Sequence, residues 1–407
     1  MSQNFHDMAL AYHQEGRPGK INVSSHKKLD NEQDLSLAYS PGVAAPVREI
    51  VKDPSAVNKY TIKGNLVAVI TDGSAVLGLG NVGPLAAKPV MEGKAVLFKR
   101  FAGIDVFNIE LDTQDVDEIV STIINIAPTF GGINLEDISA PRCFEIEKRL
   151  IEELDIPVFH DDQHGTAIIV GAGLLNALEI QEKNFKEAKI VCAGAGSAGI
   201  ATLNLLLELG FSKDNILLVD RNGVVSTKSK NLSKEKLAYA SDTDKKTLSD
   251  AIDGADVFIG VARGNLVTQA MVKSMAERPV IFALSNPDPE IAPVDVYACR
   301  NDVLMATGRS DYPNQVNNVL GFPYIFRGAL DANSKIINTE MKVAAVHALK
   351  NLAKAPASKE LLEIYQVSSL TFGKDYFIPK PFDPRLIEVV PKAIFDAAVT
   401  SGASREK

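Results

Sequence analysis

Apolar positions along this chain fall into two rhythms. Residues 65–70 (NLVAVI), 105–111 (DVFNIEL), 189–193 (KIVCA), 215–220 (NILLVD), 255–262 (ADVFIGVA), 278–287 (RPVIFALSNP) and 302–308 (DVLMATG) are short apolar runs bounded by Gly, Pro, Asp or Asn. Such runs predict strands, buried ones at 65–70, 255–262, 278–287 and 302–308. The helical rhythm covers residues 115–127 and 166–182, and an amphipathic charged segment lies between 138 and 155. Strands alternating with helices predict an α/β fold with parallel sheets and loops at the strand ends. Three spans follow: an N-terminal α/β domain over 1–160, a second α/β domain over 161–387, and a C-terminal tail over 388–407.

The second domain opens on the clearest local pattern. The strand 189–193 runs into Gly194-x-Gly196-x-x-Gly199, with Ser197 and Ala198 between the glycines, and a helix follows. The next strand ends in Asp220, 21 residues past Gly199. Glycines there permit a tight turn and close approach of a pyrophosphate, and the helix N-terminus faces its charge. The span is thus predicted to be a doubly wound, Rossmann-type dinucleotide-binding domain. Asp220 favours NAD, since an acid there hydrogen-bonds a ribose 2′-hydroxyl and repels a 2′-phosphate. Arg221 beside it, with Lys228, Lys230, Lys234 and Lys236 beyond, favours NADP by pairing with that phosphate.

The first domain holds the candidate chemistry. Two acid pairs, Glu136–Asp137 and Asp161–Asp162, end apolar runs. Brought together they need a counter-charge, and a hard divalent cation supplies one; left apart, they cap a helix and fill a turn. Lys94 interrupts an apolar segment, where it snorkels to water or, if enclosed, becomes a usable base. Tyr39 stands just before the Pro41–Gly42 turn, as a core ring or a positioned acid. Gly78, Gly80 and Gly83 suit a close backbone approach to a ligand. At the carboxyl ends of later strands, Asn286 and the pair Asn317–Asn318 are placed to meet a substrate.

Composition narrows the classes. The 407 residues are 46% hydrophobic and 23% charged, as in ordinary globular chains. A net charge of −8 disfavours a nucleic-acid partner. Cys143, Cys192 and Cys299 are far apart and odd in number, which suits a reducing compartment. The N-terminus has no signal-like core and no run is long enough to span a membrane, so a cytoplasmic protein is expected.

Seven motifs carry a resemblance. AYSPGVA (38–44), VMEGKAVLFK (90–99), FGGINLEDI (130–138), PVFHDDQHGTA (157–167), GAGSAG (194–199), SNPDPE (285–290) and NNVLGFPYIFRGAL (317–330) stand in the order and at the spacings of the malic enzymes. The chain resembles the bacterial forms most. It is also similar to the malic domain of hybrid enzymes that continue into a phosphotransacetylase-like domain, which these 407 residues do not contain; membership of a longer chain with a regulatory C-terminal domain stays open. The resemblance implies a metal-dependent oxidative decarboxylation of L-malate to pyruvate and CO₂. Glu136, Asp137 and Asp162 match the ligands of Mg²⁺ or Mn²⁺, Lys94 the general base, Asp161 the acid that orients it, and Tyr39 the general acid. Asn286 and Asn318 match substrate contacts, with Asn317 beside them, and Asn286 also lies at the cofactor end. The hybrids favour NADP, which tips the expected cofactor to NADP with NAD the alternative. A homo-oligomer is expected, because the family associates through this domain and the first 50 residues are too apolar for so short a segment. One departure stands out: the arginine that clamps a malate carboxylate in the animal enzymes is replaced here by Ser74 and Ala75. Rival readings are a malolactic-type enzyme and a non-catalytic nucleotide-binding regulator.

Overall fold

The computed structural model describes residues 3–405. Four strands, β1 (Leu66–Thr71), β2 (Asp105–Glu110), β3 (Gly132–Leu135) and β4 (Val158–His160), form a parallel sheet in the order β2-β1-β3-β4. A second sheet holds β5 (Ile190–Ala193), β6 (Ile216–Asp220), β7 (Gly223–Val224), β8 (Val257–Gly260), β9 (Val280–Ala283) and β10 (Leu304–Thr307). Its order is β10-β9-β8-β5-β6-β7, parallel except for the short β7. The strands lack polar alternation because both faces are covered: every residue of β1, β5, β8, β9 and β10 is buried.

Three helices join the sheets. Pro84–Ala102 buries Ala87, Met91, Ala95, Phe98 and Ala102 along one stripe. Phe98 of that stripe stacks against Phe322 and Phe326, with ring centroids 4.8 and 5.3 Å apart. Those rings belong to the helix Phe322–Asp331, so the first domain is fastened to the second through aromatic contacts. Asp161–Ile180 leads straight out of β4 and is enclosed nearly all round, which its small residues allow. A Cβ on its Gly173 would come 2.9 Å from the Ile378 side chain. This helix begins at Asp161 rather than at residue 166 as the apolar pattern predicts, since its first turn is polar.

Residues 388–407, set apart by sequence as a tail, largely belong to a helix, Leu386–Thr400. Its apolar residues Leu386, Val390, Ile394 and Ala398 recur every fourth position and are fully buried, against the helices Phe322–Asp331 and Thr339–Lys354. At the other end the packing is absent: no residue from 4 to 65 is buried. Phe5, Met8, Leu10, Leu35, Leu37, Val47 and Val51 are all exposed there. The segment meets the main body at Lys20, whose amide donates to Glu92 at 2.9 Å. No helix among the described residues is long and apolar enough to cross a membrane.

Candidate active site

Both acid pairs sit where neighbouring parallel strands end. Glu136 and Asp137 follow β3, and Asp161 and Asp162 follow β4, so adjacency of β3 and β4 brings them to one place. Carboxylate oxygens of Glu136, Asp137 and Asp162 lie within 4.8 Å of one another. Asp137 takes a left-handed backbone, φ 55°, and its N–H donates to Asp162 Oδ2 at 2.7 Å. Asn134 Nδ2 donates to Glu136 Oε2 at 3.0 Å, and the Ala75 N–H donates to the Asp137 carbonyl at 2.9 Å. Burial pushes the Glu136 carboxyl well above its usual range, Lys94 opposing this and Asp162 and Asp161 adding to it. Burial likewise raises Asp162, against the pull of His160 and Lys94. A buried set of carboxylate oxygens with such mutual repulsion fits a hard divalent cation.

Lys94 faces this cluster from the middle of the helix Pro84–Ala102. Its Nζ donates to Asp161, lies 3.0 Å from Glu136 Oε1 and stands 4.3 Å over the Phe322 ring. Burial alone would lower its pKa, but the Asp161 and Glu136 carboxylates more than reverse this and raise it. Asp161 is fully buried, and a Cβ on Gly165 would stand 2.1 Å from its Oδ1, so glycine is required there. Asn318 Nδ2 donates to Asp161 Oδ2 at 3.2 Å, and its Oδ1 accepts from Thr166 at 3.0 Å.

These groups line one cleft of about 780 Å³ between the two sheets. Its far wall is the dinucleotide turn, represented by Ser197 and Ala198, the first residues of the helix Ser197–Glu208. The turn is sterically committed: a Cβ on Gly199 would lie 1.8 Å from the Gly194 carbonyl, while Gly196 faces open space. That leaves N–H groups at a helix N-terminus aimed into the cleft. Asn286 and Asn317 also line it, although the Asn317 side chain accepts from the Val319 N–H at 3.0 Å and so caps a turn. Gly78 reaches across from the first domain; a Cβ there would be 2.5 Å from the Asn286 carbonyl.

Two expected residues stand apart. Tyr39 is 71% exposed and does not line the cleft of its own chain. Asp220 is half-buried beyond the cleft, and its carboxylate is occupied: the Asn222 N–H donates to Oδ1 at 2.8 Å and Lys236 Nζ to Oδ2 at 2.6 Å. Of the loop cations, Lys236 is therefore the one beside Asp220, whereas Lys228 pairs with the exposed Asp244 at 3.1 Å and Arg221 is exposed. Lys236 lies 16 residues from Asp220 and meets it only through the short helix Lys234–Leu237. The cleft lining also includes Thr166, Asp288 and Phe322, which lie inside the quoted motifs but are given no role there, and Arg263, which lies in none of them.

Comparison with known proteins accords with this geometry. The model of the malic enzyme N-terminal domain matches residues 18–151, and that of the malic enzyme NAD binding domain matches residues 163–370. A "NADP-dependent malic enzyme" of Halomonas elongata is 57% identical over 98% of this chain and 94% of its own length. A "NAD-dependent malic enzyme" of Rhizobium meliloti is 53% identical over 99% of this chain, which spans 52%, about half, of that relative. The crystal structure of the malic enzyme from Pyrococcus horikoshii superposes with a TM-score of 0.88 at 42% identity, covering 99% of this chain and 92% of the other. With both family models placed in order on the two domains that enclose the cleft, this chain belongs to the malic enzymes.

Proposed function

We propose that the protein catalyses oxidative decarboxylation of L-malate to pyruvate and CO₂, with NADP as electron acceptor and a divalent metal. The observation that carries this reading is one cleft with Lys94, Asp161 and three clustered carboxylates on one wall and a dinucleotide turn on the other. Glu136, Asp137 and Asp162 would hold Mg²⁺ or Mn²⁺. Bound there, the cation would supply polarisation of the oxygen on C2 of the hydroxy acid, and a nicotinamide held at the opposite wall would supply the acceptor for the C2 hydride.

The chain's own residues then divide the proton transfers. Lys94 takes the C2 hydroxyl proton, and Asp161, itself fixed by Asn318, aims the ammonium stem. Lys94 does this only when neutral; Asp161 does most to hold it charged, and of the other carboxylates that do so, Glu136 and Asp162 are ones whose charge a divalent cation would offset. Tyr39 returns a proton to C3 of the enol formed when CO₂ leaves. Because Tyr39 lies outside its own cleft, within an N-terminal segment of exposed apolar side chains, it acts in the cleft of a second copy, and the working unit is at least a homodimer.

NADP is favoured by the Asp220–Lys236 pair. The carboxylate that would accept from a ribose 2′-hydroxyl is taken by the Lys236 ammonium, which also offsets the negative charge that would repel a 2′-phosphate. The test is direct: L-malate, Mn²⁺ and NADP⁺ or NAD⁺ are mixed with protein, and reduced cofactor and product are followed. Pyruvate with reduced NADP is the expected outcome. Lactate without reduced cofactor, or no turnover at all, refutes the reading.

A further inference from the structure

We propose that Arg263 is the guanidinium that binds a carboxylate of the substrate, in place of the clamp the first domain lacks. The inference rests on the malate reading above. On the first-domain wall, Ser74 is buried, its hydroxyl donating to Asp72 at 2.5 Å and accepting from the Ser139 N–H at 2.9 Å. Ala75 beside it lines the cleft and carries no charge. A dicarboxylate entering here therefore finds on that side, among the described lining residues, no cation other than Lys94.

The cations within reach are few. Lys94 is engaged with Asp161 and Glu136. Arg309, past the end of β10, donates to Asp311 through Nε at 2.8 Å and through a terminal nitrogen at 2.7 Å. Arg263 lines the cleft and forms no ion pair among the described residues. It is the lining cation left free to take an anion.

Its loop is built to hold it. The Ala262 N–H donates to Glu290 Oε1 at 3.0 Å, the Ser285 N–H donates to Oε2 at 3.1 Å, and the Ser285 hydroxyl donates to Oε1 at 2.5 Å. Glu290 is fully buried and has no Lys or Arg within ion-pair distance among the described residues, so these donors alone satisfy it. The Asn265 N–H donates to the Pro289 carbonyl at 2.9 Å. Arg263 follows β8, and its backbone is thus anchored immediately before it and two residues after it to the neighbouring loop that follows β9. That loop touches the first domain at Asn286 and Gly78, so Arg263 stands at the junction of cofactor wall and substrate wall. The pyrophosphate has its own donors in the helix N-terminus at Ser197 and Ala198. A planar guanidinium matches a carboxylate with two parallel hydrogen bonds, and a fixed backbone reduces what must be ordered on binding.

The experiment uses Arg263→Ala and Arg263→Lys in the full chain with Mn²⁺ and NADP⁺. Malate and NADP⁺ KM values are measured, together with calorimetric binding of tartronate, a hydroxydicarboxylate. For Arg263→Ala, malate KM and tartronate Kd are expected to rise about 10- to 100-fold, NADP⁺ KM to stay within about twofold, and Arg263→Lys to fall between. Melting temperatures equal to the parent's separate this from misfolding. Unchanged tartronate binding, or a rise confined to NADP⁺ KM, overturns the proposal. A parent that makes no pyruvate refutes the reaction alone; loss of tartronate binding in Arg263→Ala still supports the role of Arg263, and its retention still refutes it.

Discussion

Asn318 Nδ2 donates to Asp161 Oδ2 at 3.2 Å although the two residues are 157 positions apart. The contact ties the segment after β10 to the acid that pairs with Lys94. Asn318→Ala should leave Lys94 and the metal carboxylates in place but loosen their aim. A fall in kcat of about 10- to 100-fold with cofactor Kd unchanged is expected, because small misplacement of a base is costly. Parental kcat in steady-state assays would remove Asn318 from the positioning role.

Removing one carboxylate should empty the metal site. Asp162→Asn keeps the shape but takes away a ligand charge, and Asp162 Oδ2 also accepts from the Asp137 N–H. Mn²⁺ affinity, read from the EPR signal of free Mn²⁺, should fall at least about 100-fold, and cofactor binding by fluorescence should hardly change. Full activity at ordinary Mg²⁺ concentration would refute the ligand assignment.

Tyr39 and Lys94 can be separated by subunit mixing. Tyr39→Phe and Lys94→Ala proteins should each be inactive or nearly so, with losses on the order of 10²–10⁴. Unfolded together and refolded at equal ratio, random dimers would carry one intact site in every four, so about a quarter of parental activity should return. No recovery, with dimers confirmed by sedimentation, would place both groups in one chain.

Cofactor choice should turn on Lys236. Lys236→Ala frees Asp220 to meet a ribose hydroxyl, so NADP⁺ KM should rise about 10-fold or more while NAD⁺ KM stays level or falls. Arg221→Ala should have a smaller effect, and Lys228→Ala the least, since Lys228 already pairs with Asp244. Equal effects on both cofactors in the Lys236 variant would refute the assignment.

Glu147 links stability to pH. It is buried; its Oε1 accepts from the His160 N–H at 3.0 Å and lies 2.8 Å from His164 Nε2, and its Oε2 accepts from Gln163 at 3.1 Å. Burial acts upward, but His164 and Lys342 outweigh it and bring the carboxyl down to about 2. A carboxyl depressed below its unfolded value of about 4.3 contributes stability that is complete above that pH and lost as pH falls toward 2. Glu147→Gln should therefore cost about 2–3 kcal/mol at pH 7 by urea unfolding, with the difference narrowing below about pH 4. A cost independent of pH would show that the carboxylate charge plays no part.

Much of this architecture was written in local sequence. The apolar runs at 66–71, 190–193, 257–260, 280–283 and 304–307 became strands buried on both faces, because a run without polar alternation can be accommodated only in a covered parallel sheet. The glycines of 194–199 specify their turn outright, since no side chain fits at Gly199. Tertiary structure decided what periodicity does not report, which is whose strand ends lie side by side. Glu136 meets Asp162 because β3 neighbours β4, and Lys94 is enclosed because Phe322 packs over it from the other domain. The same long-range packing placed Lys236 rather than Lys228 beside Asp220, gave Arg263 to the cleft, and left Tyr39 outside it. Local pattern records how deeply a residue is buried and in what conformation, whereas a site is made where distant segments converge, and that convergence is set by packing of whole faces.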